Sequence, residues 1–130
     1  MIVVEFLEAD VEDAGMVTVK FEDGHMVAIS YELDGQEMPD ECEECYLAIH
    51  KKKSCENPGS EKWTTESGWT ASKWDSEAHF TTSFNGKGAG TFFDIDNGYG
   101  YGDNKCRALI IYDGGDAIGC AKLAPEGGSC

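Results

Sequence analysis

Positive charge is scarce in this sequence. Ten Lys and Arg stand against 25 Asp and Glu in 130 residues, a formal net charge of -15 at pH 7. A surface of that sign repels phosphate backbones and anionic membranes, which sets nucleic-acid binding aside. The acidity itself reads as solubility first, and as an attraction for calcium or a cationic partner second. Long apolar runs are missing too. No stretch approaches the roughly 20 residues of a membrane helix, so no membrane insertion is expected. Nor does the chain open on a secretory signal: Met1 is followed by IVVEFLEA, which reads as a strand. That bears little on compartment, since Met1 can head a domain cut from a longer precursor. A second Cys-x-x-Cys is also absent. Cys42 and Cys45 have the spacing of half a zinc site or of a redox pair, but Cys106 and Cys130 stand alone. Structural zinc sites bring their ligands in close pairs, so zinc is not expected. A thioredoxin-like role lacks its βαβ surroundings.

What is present reads as one β-rich domain over residues 1–130. The hydrophobic fraction of 41% is that of a globular chain. Met16 to Gly24 alternates Val17, Val19 and Phe21 with Thr18, Lys20 and Glu22. His25 to Leu33 alternates Val27, Ile29 and Tyr31 with Ala28, Ser30 and Glu32. Period two marks a strand with one buried face, and Asp23-Gly24 between them is a hairpin signal. Ile2 to Ala9 precedes them. CYLAIH, AHFTTSF, AGTFFDID, RALIIYD and AIGCAKLA follow, separated mostly by Gly-rich turns. Short strands without a helical period predict an antiparallel barrel or sandwich. The six Cys, Cys42, Cys45, Cys55, Cys106, Cys120 and Cys130, suit disulfides and an oxidising compartment. Their pairing is open, because six thiols allow many connectivities.

One long segment, about 51–76, reads as a loop. It carries Pro58, Gly59 and Gly68 together with Trp63, Trp69 and Trp74. Loops of that length in a small domain are functional or tied down. Two readings of its Trp residues stand: a platform for a glycan or protein partner, or a small local core. DIDNGYGYGDN (Asp94 to Asn104) starts like a calcium loop. Gly98 falls one place too early for an EF-hand, however, and no Glu closes it. A Gly-rich connection between strands is the preferred reading, with weak calcium binding second. The carboxylates show no acid/base pair, and no Cys has an evident His partner for nucleophilic catalysis.

YLAIHKKKSC (Tyr46 to Cys55), SFNGKGAGTFFDID and RALIIYDGGDAIGCAKLAP together resemble copper/zinc superoxide dismutase, and within it the copper-only, repeat-protein branch. The resemblance spans nearly the whole chain. It implies an eight-stranded antiparallel Greek-key barrel and a Cys55–Cys120 disulfide that clamps the long loop. The His-x-His strand of that family falls on Ala48 and His50. Its third ligand falls near Glu61, its fourth on Tyr112, its catalytic Arg on Ala117, and the Asp of its Asp-Leu-Ser stretch on Ser83. His79 aligns with a zinc ligand of one branch and with a non-ligand of the other. Thr82, three residues on, cannot complete a zinc site. His25 sits in a hairpin and is expected at the surface. Redox copper needs several imidazoles. His50 therefore reads as a relic of a degenerate site, and Lys51, Lys52 and Lys53 as either an anion-steering run or ordinary loop cations. The resemblance thus implies a barrel without dismutase activity and without a cofactor, used as an extracellular structural or binding module, alone or among flanking repeats. The alternative is a copper-binding domain in which His50 and His79 converge with a Cys or Glu61.

Overall fold

The computed structural model describes residues 1–64 and 73–130. The first three strands are β1 (Val4–Val11), β2 (Gly15–Glu22) and β3 (His25–Leu33). Hairpins join them in antiparallel pairs, Val4 facing Glu22 and Gly15 facing Leu33. The β2–β3 turn needs positive φ at both central residues, Asp23 at 50° and Gly24 at 82°. Gly enters that region freely and Asp tolerates it, which is why the pair specifies the hairpin.

After a connection comes β4 (Cys45–Ile49), then α1 (Lys73–Glu77), β5 (His79–Phe80), β6 (Gly88–Phe93) and α2 (Tyr101–Asn104). The chain ends in β7 (Ala108–Asp113), β8 (Asp116–Lys122) and β9 (Ala124–Pro125). Two antiparallel sheets result, ordered β6-β3-β2-β1-β9 and β5-β4-β7-β8. Their inner faces supply one core. Leu7, Val17, Val19, Phe21 and Ile29 of the first sheet and Leu47, Ile49, Leu109 and Ile111 of the second have no solvent exposure. Each such side chain contributes about 1.5–3 kcal/mol on burial.

The architecture is a two-sheet sandwich and not a closed barrel among the described residues. At one side β8 approaches β1 closely without pairing to it: a Cβ at Gly119 would stand 2.7 Å from Val11 Cγ1. The chain then turns through buried Leu123 and pairs with β1 as β9, Leu7 facing Pro125. One strand path thus serves both sheets at a corner.

Several expectations from the sequence need adjusting. The first strand runs from Val4 to Val11, while Ile2 is exposed. AHFTTSF contributes only His79 and Phe80 to a sheet. Met26, rather than Val27, points into the core opposite Phe21. The cause is a bulge: pairing jumps from Lys20–Ala28 to Phe21–Met26 and leaves Val27 without a partner. Two short helices interrupt the all-strand reading. α1 falls in the long segment around Trp74, and α2 in the Gly-rich stretch that begins at Asp94.

That second stretch closes on its own amides. Asn97 Nδ2 donates to Asn104 Oδ1 at 2.7 Å, and both residues are fully buried. Asn104 Nδ2 also donates to the carbonyls of Tyr99 and Gly100, at 3.0 and 2.8 Å. The amides therefore satisfy one another, as buried polar groups must.

Candidate functional site

β4 is buried on both faces, which an edge-to-solvent strand would not be. Leu47 and Ile49 face the core. Tyr46, Ala48 and His50 alternate onto the outer face, as the pleat requires. The first part of the long segment covers that face. Trp63 N donates to Ile49 O at 2.7 Å, and Lys51 N to Glu61 O at 3.1 Å. The Lys62 ammonium lies 5.8 Å from the centre of the Tyr46 ring and 5.3 Å from that of Tyr112. Those two rings stack at 4.8 Å because Tyr46 and Tyr112 are register partners across β4 and β7.

His50 sits at the end of this row with 1% of its surface exposed. Both of its ring nitrogens are engaged. Nδ1 lies 2.9 Å from the Gly59 carbonyl oxygen, and Nε2 lies 2.7 Å from Tyr112 Oη. A carbonyl only accepts, so Nδ1 carries the proton and Nε2 accepts the Tyr112 hydroxyl. Burial holds the imidazole below its ordinary pKa; the Gly59 bond opposes that shift, and Lys62 adds to it. Burial raises the Tyr112 and Tyr46 phenols, with a further push on Tyr112 from Tyr46 and on Tyr46 from Asp75. A neutral imidazole and two neutral phenols are the stable states near pH 7.

Of the positions singled out in the sequence, Ala48, His50, Tyr112 and Ala117 meet across neighbouring strands of the second sheet. Ala48 lies between Tyr46 and His50 on β4, Tyr112 stands on β7, and Ala117 is the β8 partner of Tyr112. Glu61 is turned away to solvent and pairs with Lys51 at 3.5 Å. His79 is exposed on β5 opposite Tyr46. Four residues of strand separate it from His50, about 13 Å at the usual rise. The two imidazoles therefore do not converge. Ser83 accepts and donates within the turn before β6, with Ser83 Oγ bonded to Asn85 Oδ1 at 2.6 Å. Thr82 Oγ1 accepts from Cys42 N and donates to Pro39 O, at 2.7 and 2.6 Å. His25 is exposed, as its hairpin position predicts.

The disulfides are Cys42–Cys45, Cys55–Cys120 and Cys106–Cys130. Cys55–Cys120 ties the loop after β4 to β8. Among the described residues, Cys42, Cys45 and Asp113 form the one group of three with ligand atoms within 4.8 Å of one another. Both sulfurs are spent in a disulfide, so this is no thiolate site in the oxidised chain. For the same reason the 3.4 Å approach of Cys42 Sγ to Asp113 is a contact and not a hydrogen bond.

The Trp residues do not form one platform. Trp74 is fully buried against the core. Trp69 lies outside the described residues. Trp63 is clasped between Tyr99, stacked at 3.8 Å and 7°, and the Arg107 guanidinium at 3.9 Å. Its Nε1 is buried without an acceptor among the described residues. Arg107 is the residue that sequence reading passed over. Its signal was faint, a single cation 56 positions from the Lys run it joins.

Searches with this chain find no match to any protein-family model, curated protein or solved structure.

Proposed function

We infer that this chain is a superoxide-dismutase-like domain without dismutase chemistry, serving as a structural or binding module outside the cytosol. The observation that carries the reading is the His50–Tyr112 hydrogen bond. By the resemblance, these two positions correspond to copper ligands. Here each nitrogen of the one remaining imidazole already has a protein partner. A phenol whose proton is held by burial is a poor stand-in for a second imidazole. Ala48 offers no ligand atom, and Glu61 is committed to Lys51 at the surface.

Three further features support the family reading. A Cys55–Cys120 bridge joins the loop to β8, as the resemblance implies. Three hairpin-joined strands are followed by a long excursion, after which the end of the chain returns beside the first of them as β9, a neighbour order of the kind a Greek key needs. Copper/zinc superoxide dismutase itself has a two-sheet sandwich architecture. Three disulfides with no free thiol among the Cys suit an extracellular or secretory setting.

Copper loading tests the reading. The oxidised chain is loaded, dialysed against a weak chelator and analysed for retained metal, with His50→Ala in parallel and superoxide dismutation assayed on both. The expected result is no retained copper and no dismutation. One copper per chain, lost in His50→Ala, would replace this reading with that of a copper-binding domain.

A further inference from the structure

Four of the ten cations in this acidic chain gather around one end of the second sheet. Lys51, Lys52 and Arg107 line a cleft of about 560 Å³ together with Gly59, Ser60 and Glu61. A second cleft of about 460 Å³ shares Lys51, Ser60 and Glu61 and adds Lys62, Trp63 and Tyr99. Carboxylates outnumber cations 25 to 10 in the sequence, so each of these cations has the chance to find one. Lys51 does, in Glu61. Lys52, Lys62 and Arg107 have no carboxylate within ion-pair distance among the described residues.

Arg107 is also oriented. Its Nε donates to Asp103 O at 2.8 Å, its Nη1 donates to Lys51 O, and its plane lies on the Trp63 ring. Two of the five guanidinium N–H groups are used on carbonyls, which leaves three for a ligand. The opposite wall is fixed as well. Cys55–Cys120 anchors the loop, His50 Nδ1 holds the Gly59 carbonyl, and Ala108 N holds the Lys52 carbonyl at 3.0 Å. A cleft whose walls are already immobilised loses little entropy on binding.

We propose that this cleft binds an oxyanion, a sulfate or phosphate group free or carried on a sugar-sized molecule. A planar guanidinium with flanking ammonium groups matches the geometry and charge of such a group. The volume is in the range of small-ligand sites. The acidic remainder of the surface repels anions and so confines them to this one place. The proposal deepens the binding-module reading by naming its ligand chemistry. On it, His50 is a positioning residue, holding the loop that forms the cleft.

The test is a titration of the oxidised, metal-free chain at about 20 mM NaCl, where screening is weak. The probes are inorganic sulfate, inorganic phosphate, a sulfated monosaccharide and its uncharged parent sugar. The readout is the NMR shift of the Arg107 Nε–H and of the Gly59 and Ser60 amides. Saturable shifts are expected with at least one anion and not with the parent sugar. Arg107→Gln should weaken binding about tenfold, the equivalent of one charge-assisted contact. Lys52→Gln should weaken it several-fold, and Lys122→Gln, on β8 outside both clefts, should leave it unchanged. Arg107 also packs on Trp63, so Lys52→Gln carries the test if Arg107→Gln does not fold. Tighter binding of the sulfated sugar than of inorganic sulfate assigns an organic ester; equal binding assigns the free anion. No saturable shift, or equal binding in all variants, overturns the proposal. Copper retention is read separately, so a chain that holds copper would remove the earlier reading and leave this one standing.

Discussion

His50 shows how one buried residue can fasten a loop to a sheet. A strand-end imidazole with both nitrogens bonded is a structural clasp between loop and sheet. Replacing Tyr112 with Phe keeps the ring and removes the hydroxyl that donates to a buried nitrogen. The expected cost is about 1–3 kcal/mol in urea unfolding, the penalty for an orphaned buried acceptor. The sign of the pH effect follows from the lowered pKa. In the folded chain His50 binds its proton less readily than at its ordinary value of 6.5. Below that value the unfolded chain takes up more protons than the folded one, so stability is full above it and falls as pH drops toward the lower folded pKa. His50→Gln should flatten the slope of unfolding free energy below the ordinary imidazole value of 6.5. An unchanged slope would mean that another group sets the acid limb. The residue type was legible in the sequence, and so was the lack of a second imidazole beside it. Its partners were not: Gly59 lies nine residues on, and Tyr112 lies 62 away. Only the pairing of β4 with β7 brings that phenol to it.

At the scale of elements, the long loop is the part that sequence reading described least well. Its length and its Cys55 suggested a tether, and a tether exists. Of the two readings of its Trp residues, the platform does not hold, because α1 carries Trp74 into the core while Trp63 goes under Arg107. Helical rotation over five residues decides where Trp74 points, and such a short helix leaves no periodic signal. Replacing Cys55 and Cys120 with Ser should cost about 4 kcal/mol, as expected for a bridge closing a loop of this length. Limited proteolysis should then cut within residues 51–64, which the intact chain protects through Trp63 N, Lys51 N and Gly59 O. Cleavage elsewhere first would show that the loop stands without its bridge. The β2–β3 hairpin was the reverse case. Asp23-Gly24 and the alternating Val17, Val19 and Phe21 are local signals, and they placed both strands with nothing else known.

For the molecule as a whole, the charge imbalance acts on every element at once. Like charges spread over a small sandwich repel one another in the folded state more than in the expanded chain. Adding salt from about 10 to 150 mM should therefore raise the melting temperature, by screening at distances beyond about 10 Å. A fall in melting temperature would mean that local ion pairs dominate. With Lys20–Glu22 and Lys51–Glu61 the ion pairs found among the described residues, both at the surface, a rise is expected. By itself the sequence determined the β-rich class, the first hairpins and the acidity. Alternation, turn residues and composition are local properties, readable without knowing what packs against what. The tertiary structure alone decided the rest. It paired Cys106 with Cys130, let a bulge exchange Val27 for Met26 in the core, and split the sheets as a sandwich. It also carried Arg107 across to the Lys run and onto Trp63. Those outcomes depend on which distant strands become neighbours, and the energy of a contact exists only once the fold has closed the distance.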